Sequence, residues 1–426
     1  MPVTIVGAGP VGTLQAILLA RAGRRVRLLE RRPDPRTATP ERGRSINLAL
    51  AARGLTALAR AGVLEQVRPE LVAMRGRRLH DRGGAGPFLP YGQRDSEVVH
   101  AVGRARLNNA LLDAAAALPL IELRFGIHVV DAEPPDAAGG LLIAADGAGS
   151  AVRRSLSERG LLQATEDALA HDYKELEIPP RPQGGWALDR QALHIWPRGD
   201  YMLIALPNPD GSFTATLFLP ARGDPGFSSL TAPGAARAFF AAQFPDALAL
   251  IPDFDRQYGA HPQGKLATLY CWPWHVQRVL LIGDAAHAIV PFHGQGLNCG
   301  FEDCVLLSEL LAATADTATA CAAFERRRRP DTDAIAAMAI ENYQEMRSSV
   351  LAPDFAARRQ LSLELERRFP ERFIPRYTMV MFHAEIPYAE AQRRGALQEQ
   401  VLDALLGAAA GADSALAARL IDEAGL

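Results

Sequence analysis

The chain has 426 residues, 48% of them hydrophobic, and a formal net charge of −2. That is enough for a large core shared by two or three structural regions, and it excludes a polybasic surface for nucleic acid or anionic membrane. Cys271, Cys299, Cys304 and Cys321 form no C-x-x-C pair or zinc-like spacing, and no run reaches the roughly 18 apolar residues of a membrane span. With the first strand starting at the N-terminus, the expectation is a soluble, cytoplasmic chain with free thiols, no metal and no leader.

Val3–Val6 reads as a buried strand, Val11–Ala22 as a helix and Val26–Leu29 as a second strand ending on Glu30. Strand, turn, helix and strand within about thirty residues is the unit of a parallel sheet. The Pro- and Arg-rich run from Pro33 to Arg44 reads as a loop, and Asn47 to Val67 as helix. Alternation marks strands at Leu193–Trp196, Tyr201–Leu206 and Phe213–Leu219, parted by Pro-Arg-Gly-Asp and Asn-Pro-Asp-Gly turns. Strand character returns at Val279–Gly283 and a helix is expected over Gly300–Ala313. From Asp331 onward the pattern is nearly all helical, with an Ala-rich surface helix expected near Ala408.

Three motifs carry chemistry. In Gly7-Ala8-Gly9-Pro10-Val11-Gly12, Gly7 suits a tight turn, Gly9 admits a pyrophosphate to the backbone, and Gly12 lets helix and strand pack closely. The phosphate would sit at the helix N-terminus, and Glu30 can take the ribose hydroxyls. The motif alone does not separate FAD from NAD. Ala145-Asp146-Gly147-Ala148-Gly149 is an Asp-Gly turn. Leu281-Ile282-Gly283-Asp284 ends a strand on an aspartate, and Gly294-Gln295-Gly296-Leu297-Asn298 leads into the following helix, whose amides could face a flavin pyrimidine.

The second and third motifs resemble those of single-Rossmann flavoprotein hydroxylases, where the second aspartate binds the ribityl chain of FAD and the Asp-Gly turn is tied to FAD and NADPH. Further segments resemble the kynurenine 3-monooxygenase family: 42–50, His171–Leu176, Leu193–Pro197, Val290–Gly296, Glu341-Asn342-Tyr343 and Arg372–Tyr377. The resemblance runs from Val3 to about Gln400. It implies an α/β fold: a Rossmann-type FAD-binding domain with an inserted antiparallel β-sheet substrate domain and a C-terminal helical region. The expected divisions are 1–70, 98–165 and 265–330 for the FAD-binding parts, 71–97 and 166–264 for the substrate sheet, and 331–426 for the helices.

The resemblance also implies site residues. Arg77, Tyr91, Asn342 and Tyr377 would hold the substrate's amino-acid carboxylate, a chemically sensible set because arginine offers a bidentate clamp. Leu193, Met202, Ile204, Phe218, Pro291, Phe292 and His293 would wall the aromatic ring, with the Pro291–His293 loop in the catalytic position. Non-covalent FAD would be held by Gly7, Gly9, Gly12, Glu30, Arg44, Arg104, Asp146, Asp284, Gly294, Gly296, Leu297 and Asn298. NADPH and O₂ are the implied cosubstrates. The implied reaction is hydroxylation of kynurenine to 3-hydroxykynurenine through a flavin C4a-hydroperoxide, on a small-molecule aromatic amino acid, by a monomer or homodimer.

Two departures stand out. The segment between Phe125 and the Asp-Gly motif is short, with Pro-Pro-Asp-Ala-Ala-Gly-Gly where the family has strands, and the membrane helix of eukaryotic members is missing. Trp272-Pro273-Trp274 resembles a flavin-dependent tryptophan halogenase element, but Lys174 and Lys265, the only lysines, stand in no matching context. A hydroxylase of a related aromatic amino acid in secondary metabolism is the other alternative.

Overall fold

The first layer grows from the all-buried strand Val3–Val6, which pairs in parallel with Val26–Glu30 on one side and Leu142–Ala144 on the other. A strand buried on both faces reads as an unbroken apolar run, as Val-Thr-Ile-Val nearly does. The computed structural model describes residues 2–37, 47–131, 140–347 and 355–426. Among them the first sheet has six strands, in the order His275–Val276, Val279–Leu281, Leu142–Ala144, Val3–Val6, Val26–Glu30, Ile121–Phe125. The helices Pro10–Arg21, Arg104–Ala116 and Gly296–Ala313 contribute Leu14, Ile17, Leu107, Leu111 and Phe301 to its core.

The second sheet has seven strands, in the order Gln263–Trp272, Gln163–Ile178, Phe213–Pro220, Met202–Pro207, Ala192–Pro197, Gly76–Asp81, Gly84–Pro90. It is antiparallel throughout except where Gly76–Asp81 runs parallel to Ala192–Pro197. Because side chains alternate across a strand, its two faces differ. One face presents Trp196, Leu203, Ala205, Phe213, Ala215, Leu217 and Leu219, packed under three short helices between Ala235 and Ala260. The other presents Arg77, Leu193, Ile204, Thr216, Phe218 and Glu175, which line a cavity.

Several sequence expectations shift. Asn47–Leu50 is a strand, antiparallel to Val99–Gly103 in a third, three-stranded sheet, and the helix begins only at Ala52. Leu48 and Leu50 satisfy both periodicities, and the pairing partner decides between them. The long strand Gln263–Trp272 carries the substrate sheet past the expected boundary at 265, and Gln163–Ile178 begins before 166. Ala408 is the C-cap of the helix Tyr388–Gly407, and Ala409 has a positive φ, so the Ala-rich stretch is a turn. Most of the short Pro-Pro-Asp segment, and Arg44, lie outside the described residues.

The C-terminal region is helical as expected: Thr317–Arg347, Phe355–Arg368, Arg376–Phe382, Tyr388–Gly407 and Ala415–Ala424. No helix among the described residues is long and apolar enough to cross a membrane.

Candidate active site between the two sheets

A cavity of about 620 Å³ lies between the two sheets and the helical region. At one end it is lined by Gly9, Pro10, Val11, Arg104, Gly147, Gly149, Asp284, Gly296 and Leu297; at the other by Arg77, Tyr91, Leu193, Ile204, Phe218, Phe292, His293 and Tyr377. Members of both the sequence-predicted cofactor set and the substrate set therefore line one space.

The glycine turn is built for close approach. Gly7 has φ +100°, and a Cβ there would meet the Ala145 carbonyl oxygen at 2.5 Å. A Cβ on Gly12 would meet the Gly7 carbonyl oxygen at 2.0 Å. Gly9 has nothing within 4 Å of such a Cβ, so its backbone stands open to the cavity. Glu30 closes the turn by accepting from the Ala8 amide at 3.0 Å and from Arg32 at 2.9 Å. Burial works against its charge, but the bonds from Arg32 and Ala8 outweigh it and the carboxyl pKa is lowered.

Asp284 is exposed, lines the cavity and makes no hydrogen bond among the described residues. Its position depends on Asp303, which the sequence reading missed. Asp303 is fully buried, and it accepts from the Gly283 amide (2.9 Å), His287 Nε2 (2.7 Å) and Arg328 Nε (2.8 Å). Burial opposes the charge, yet His287 and Arg328 hold the carboxyl far below the usual range. Cys299 Sγ lies in the same cluster, within 4.8 Å of the other donor atoms. Arg328 already bonds both Asp303 and Cys299, and burial keeps the thiol protonated, so the cluster reads as an ion-pair network.

The 18-residue helix Gly296–Ala313 starts at the cavity, and Gly294 before it has φ +66°. Asn298, expected among the cofactor residues, turns its side chain into the protein. Its Oδ1 accepts from Ala51 and Gly54 amides and its Nδ2 donates to the Ala49 and Gly294 carbonyls. A carboxamide with all its bonds made inside the protein fixes the helix start and has nothing left for a ligand. Asp146 caps the helix Ala151–Glu158 through the Ala151 amide at 2.8 Å, while its buried Oδ1 has no partner among the described residues. Arg153 bonds the carbonyls of Ala148 and Ala285, tying the Asp-Gly turn to the Gly283–Asp284 segment. The open Gly9, the exposed cavity-facing Asp284 and a helix N-terminus suit FAD.

At the far end, Arg77 is buried with its Nη1 3.0 Å from Glu345 Oε1. Its guanidinium carbon is 4.7 Å from the Tyr377 ring centroid and 6.0 Å from that of Tyr91, and the two tyrosine rings stack at 5.7 Å. Burial disfavours the Arg77 charge, but Tyr377, Glu345 and Tyr91 outweigh it and its pKa is raised. Glu345, on the long helix Thr317–Arg347, was not singled out from sequence; an acid one helical turn beyond Asn342 was the available signal. Asn342 itself spends its amide on the Phe292 carbonyl at 2.6 Å and lines a smaller adjoining cavity of about 160 Å³. It orients the Pro291–His293 loop rather than facing the main cavity.

Phe292 stacks on Tyr343 at 3.9 Å and leans on Phe218 at 4.9 Å, while His293 stacks on Tyr377 at 5.4 Å. Burial, with help from Arg77 and Arg376, lowers the His293 pKa to about 3, and its Nδ1 has no partner among the described residues. The ring is neutral at physiological pH. Met202 pairs with Phe218 in the sheet but is fully buried and backs the wall without lining it. Of the two lysines, Lys174 is tied to the Tyr258 and His261 carbonyls, while Lys265 is exposed at the cavity edge. Trp274 is buried against Phe324 and bonds the Cys271 carbonyl, while Trp272 is exposed, so only the second tryptophan of the Trp-Pro-Trp element is packed.

Comparison with known proteins places this architecture. An FAD binding domain family model matches residues 1–171 and 251–337. Kynurenine 3-monooxygenase of Stenotrophomonas maltophilia is 50% identical over 426 residues, covering 96% of this chain and 93% of that protein. The Myxococcus xanthus protein of the same name is 45% identical, covering 95% and 90%. Among solved structures, the tetrameric form of 2-methyl-3-hydroxypyridine-5-carboxylic acid oxygenase matches with a TM-score of 0.67 at 22% identity, over 92% of this chain and 97% of that one. That likeness is one of fold. The sequence matches, spread over nearly the full length, show more: this chain belongs to the kynurenine 3-monooxygenase family of FAD-dependent enzymes.

Proposed function

We propose that this protein hydroxylates L-kynurenine to 3-hydroxykynurenine, with FAD as cofactor and NADPH and O₂ as cosubstrates. The observation that carries the reading is Arg77, a buried guanidinium ringed by Tyr91 and Tyr377, at the end of an apolar-walled cavity continuous with the FAD motifs. An enclosed guanidinium calls for a carboxylate, and its planar fork accepts one bidentately. Glu345 beside it suits the ammonium of the same amino acid. Leu193, Ile204, Phe218 and Phe292 then leave a dry slot for an aromatic ring between the clamp and the cofactor end.

The chemistry supplied by bound FAD is hydride acceptance from NADPH and activation of O₂ for transfer of one oxygen atom. The protein's part is to hold the ring and keep water out. Asn342 fixes the Phe292 carbonyl and Tyr343 stacks on the Phe292 ring, so the wall nearest the ring is doubly held. Kynurenine is an aniline and already electron-rich, so no base is needed to ionise it. A neutral His293 agrees with that.

The test is turnover scored by product. NADPH oxidation should accelerate on adding kynurenine and yield 3-hydroxykynurenine without halide. Asp284→Ala should lose FAD on purification. A yellow wild type that consumes NADPH with kynurenine but releases only hydrogen peroxide would overturn the assignment.

A further inference from the structure

Among the buried titratable groups of the described residues, one lines the cavity and has no part in the clamp, the aromatic wall or the FAD motifs. Glu175 sits near the C-terminal end of the strand Gln163–Ile178, opposite Thr216 of its neighbour. It is 6% exposed and lines the cavity together with Tyr173, Thr214, Thr216 and Arg104. The alternation of the strand makes this a cavity position: Lys174 beside it points to the other face and bonds the Tyr258 and His261 carbonyls. The Glu175 backbone is pinned as well, its carbonyl accepting from His261 Nδ1 at 2.8 Å.

We propose that Glu175 is the group that delivers a proton into the cavity during turnover, donating its carboxyl O–H and leaving a carboxylate that Arg104 stabilises. The proposal rests on the monooxygenase reading above, whose stoichiometry takes up one proton. Ring C–H, O₂, NADPH and one proton become ring C–OH, water and NADP⁺. One oxygen atom enters the ring, and the other leaves as water with the hydride of NADPH and a proton from the medium. At the ring end the cavity wall is apolar, so a proton used there needs a carrier.

The other candidates on the page serve less well. His293 faces the ring, but with a pKa lowered to about 3 it carries no proton at neutral pH. Tyr91 and Tyr377 have raised pKa values and are engaged with Arg77. For Glu175, burial pushes the carboxyl up to about 7, opposed only by Arg104. A pKa near the working pH suits a group that must both give up and regain a proton. The groups facing it are few. Its own strand offers Tyr173 and, farther along, Glu166; the helix Arg104–Ala116 offers Arg104; the strand Gln263–Trp272 offers Lys265. The strand Phe213–Pro220 presents only the hydroxyls of Thr214 and Thr216, and Asn47–Leu50 presents no titratable group. Arg104 and Lys265 are both exposed, which gives the carboxylate a route back to solvent protons.

Two measurements test this. The first needs no turnover: difference infrared spectroscopy of the apoprotein across about pH 5–9 should show a carboxyl titrating near 7, absent in Glu175→Gln. The second compares the pH dependence of kcat. Glu175→Gln should keep FAD and bind kynurenine within about twofold, yet lose the inflection near 7 and about 100-fold in kcat. Glu175→Asp should restore the inflection, which a merely structural role would not require. An inflection that persists in a folded, FAD-loaded Glu175→Gln overturns the proposal, and so does a wild-type apoprotein with no carboxyl titrating near 7. A wild type that makes no 3-hydroxykynurenine overturns the monooxygenase reading instead, and the infrared arm still decides whether Glu175 exchanges a proton with the cavity.

Discussion

The two faces of the seven-stranded sheet are made by the same strands and do opposite work. The core face is aliphatic and aromatic: Phe213, Leu217 and Trp196 pack with Phe240, Phe244 and Phe254 from the covering helices. Its polar groups are satisfied internally, with His80 bonded to Asp246 at 3.0 Å and to His194 at 2.8 Å, and Trp196 also donating to Asp246. The cavity face keeps charges that the sheet does not neutralise: Arg77 shares one half-exposed carboxylate, and the carboxyl group of Glu175 has no hydrogen-bond partner among the described residues. A buried polar group costs free energy unless something pairs with it. Such groups on one face only mark that face as the one that meets ligands.

Four experiments sharpen or break this contrast. Arg77→Ala should have the largest effect on function. Removing one partner of a buried charge pair costs about 3–5 kcal/mol, so the KM for kynurenine should rise several-hundred-fold or more while FAD content stays constant. Arg77→Lys should rescue only in part, because an ammonium lacks the planar fork. An unchanged KM in Arg77→Ala would remove the clamp.

Phe213→Ala, on the opposite face, should cost about 3–5 kcal/mol of stability, read as a lower denaturant midpoint. KM should stay near the wild-type value in the fraction that folds. A KM shift as large as that of Arg77→Ala would show that the faces are not separable.

The pH dependence of stability comes next. His293 and His194 are held neutral, with pKa values lowered by burial to about 3 and about 4. The unfolded chain protonates both near 6.5, so below that pH it binds more protons than the folded chain. Their contribution is intact above about 6.5 and is lost as pH falls from there toward the folded values. The melting temperature should therefore decline between about pH 6.5 and 4, and His293→Gln should flatten part of that slope. An unchanged slope in the variant would contradict the neutral, buried imidazole.

Arg78→Ala should have the smallest effect. Arg78 lies on the core face, half-buried, with Asp189 3.7 Å away and the Gly86 carbonyl 3.3 Å away. Exposed pairs of this kind contribute about 0–1 kcal/mol, so KM and stability should barely move. Arg75 precedes the strand, is exposed and pairs with exposed Asp95. Strand alternation thus puts Arg77 and Arg78 on opposite faces, while Arg75 lies outside the strand. If Arg78→Ala abolished kynurenine binding, the register of this strand would be wrong.

Much of this was legible in the chain. The Gly7–Gly12 turn, the strand ending on Glu30 and the strand ending on Asp284 are local patterns, because each sets one turn between a strand and a helix. The clamp residues Arg77, Tyr91 and Tyr377 were reached through resemblance to a family, since nothing local links residues nearly 300 positions apart. Asn47–Leu50 was misread as helix because four residues carry too little periodicity to choose, and its partner strand lies some fifty residues on.

What the sequence determined by itself was the set of short-range geometries: where a glycine must stand, which strands are apolar on one face, and that Arg77 and Arg78 point apart. Tertiary structure decided which polar groups remain available. Asn298 and Asn342 carry the right chemistry for a site, yet Asn298 spends both side-chain polar atoms on neighbouring backbone and Asn342 spends its Nδ2 on Phe292, while Met202 is buried behind the cavity wall. Asp303 and Glu175 look ordinary in the sequence and are buried in the fold, and Glu345, partly exposed, stands out only through its bond to Arg77. Hydrogen-bond capacity and burial are sums over distant neighbours, so no window of sequence contains them.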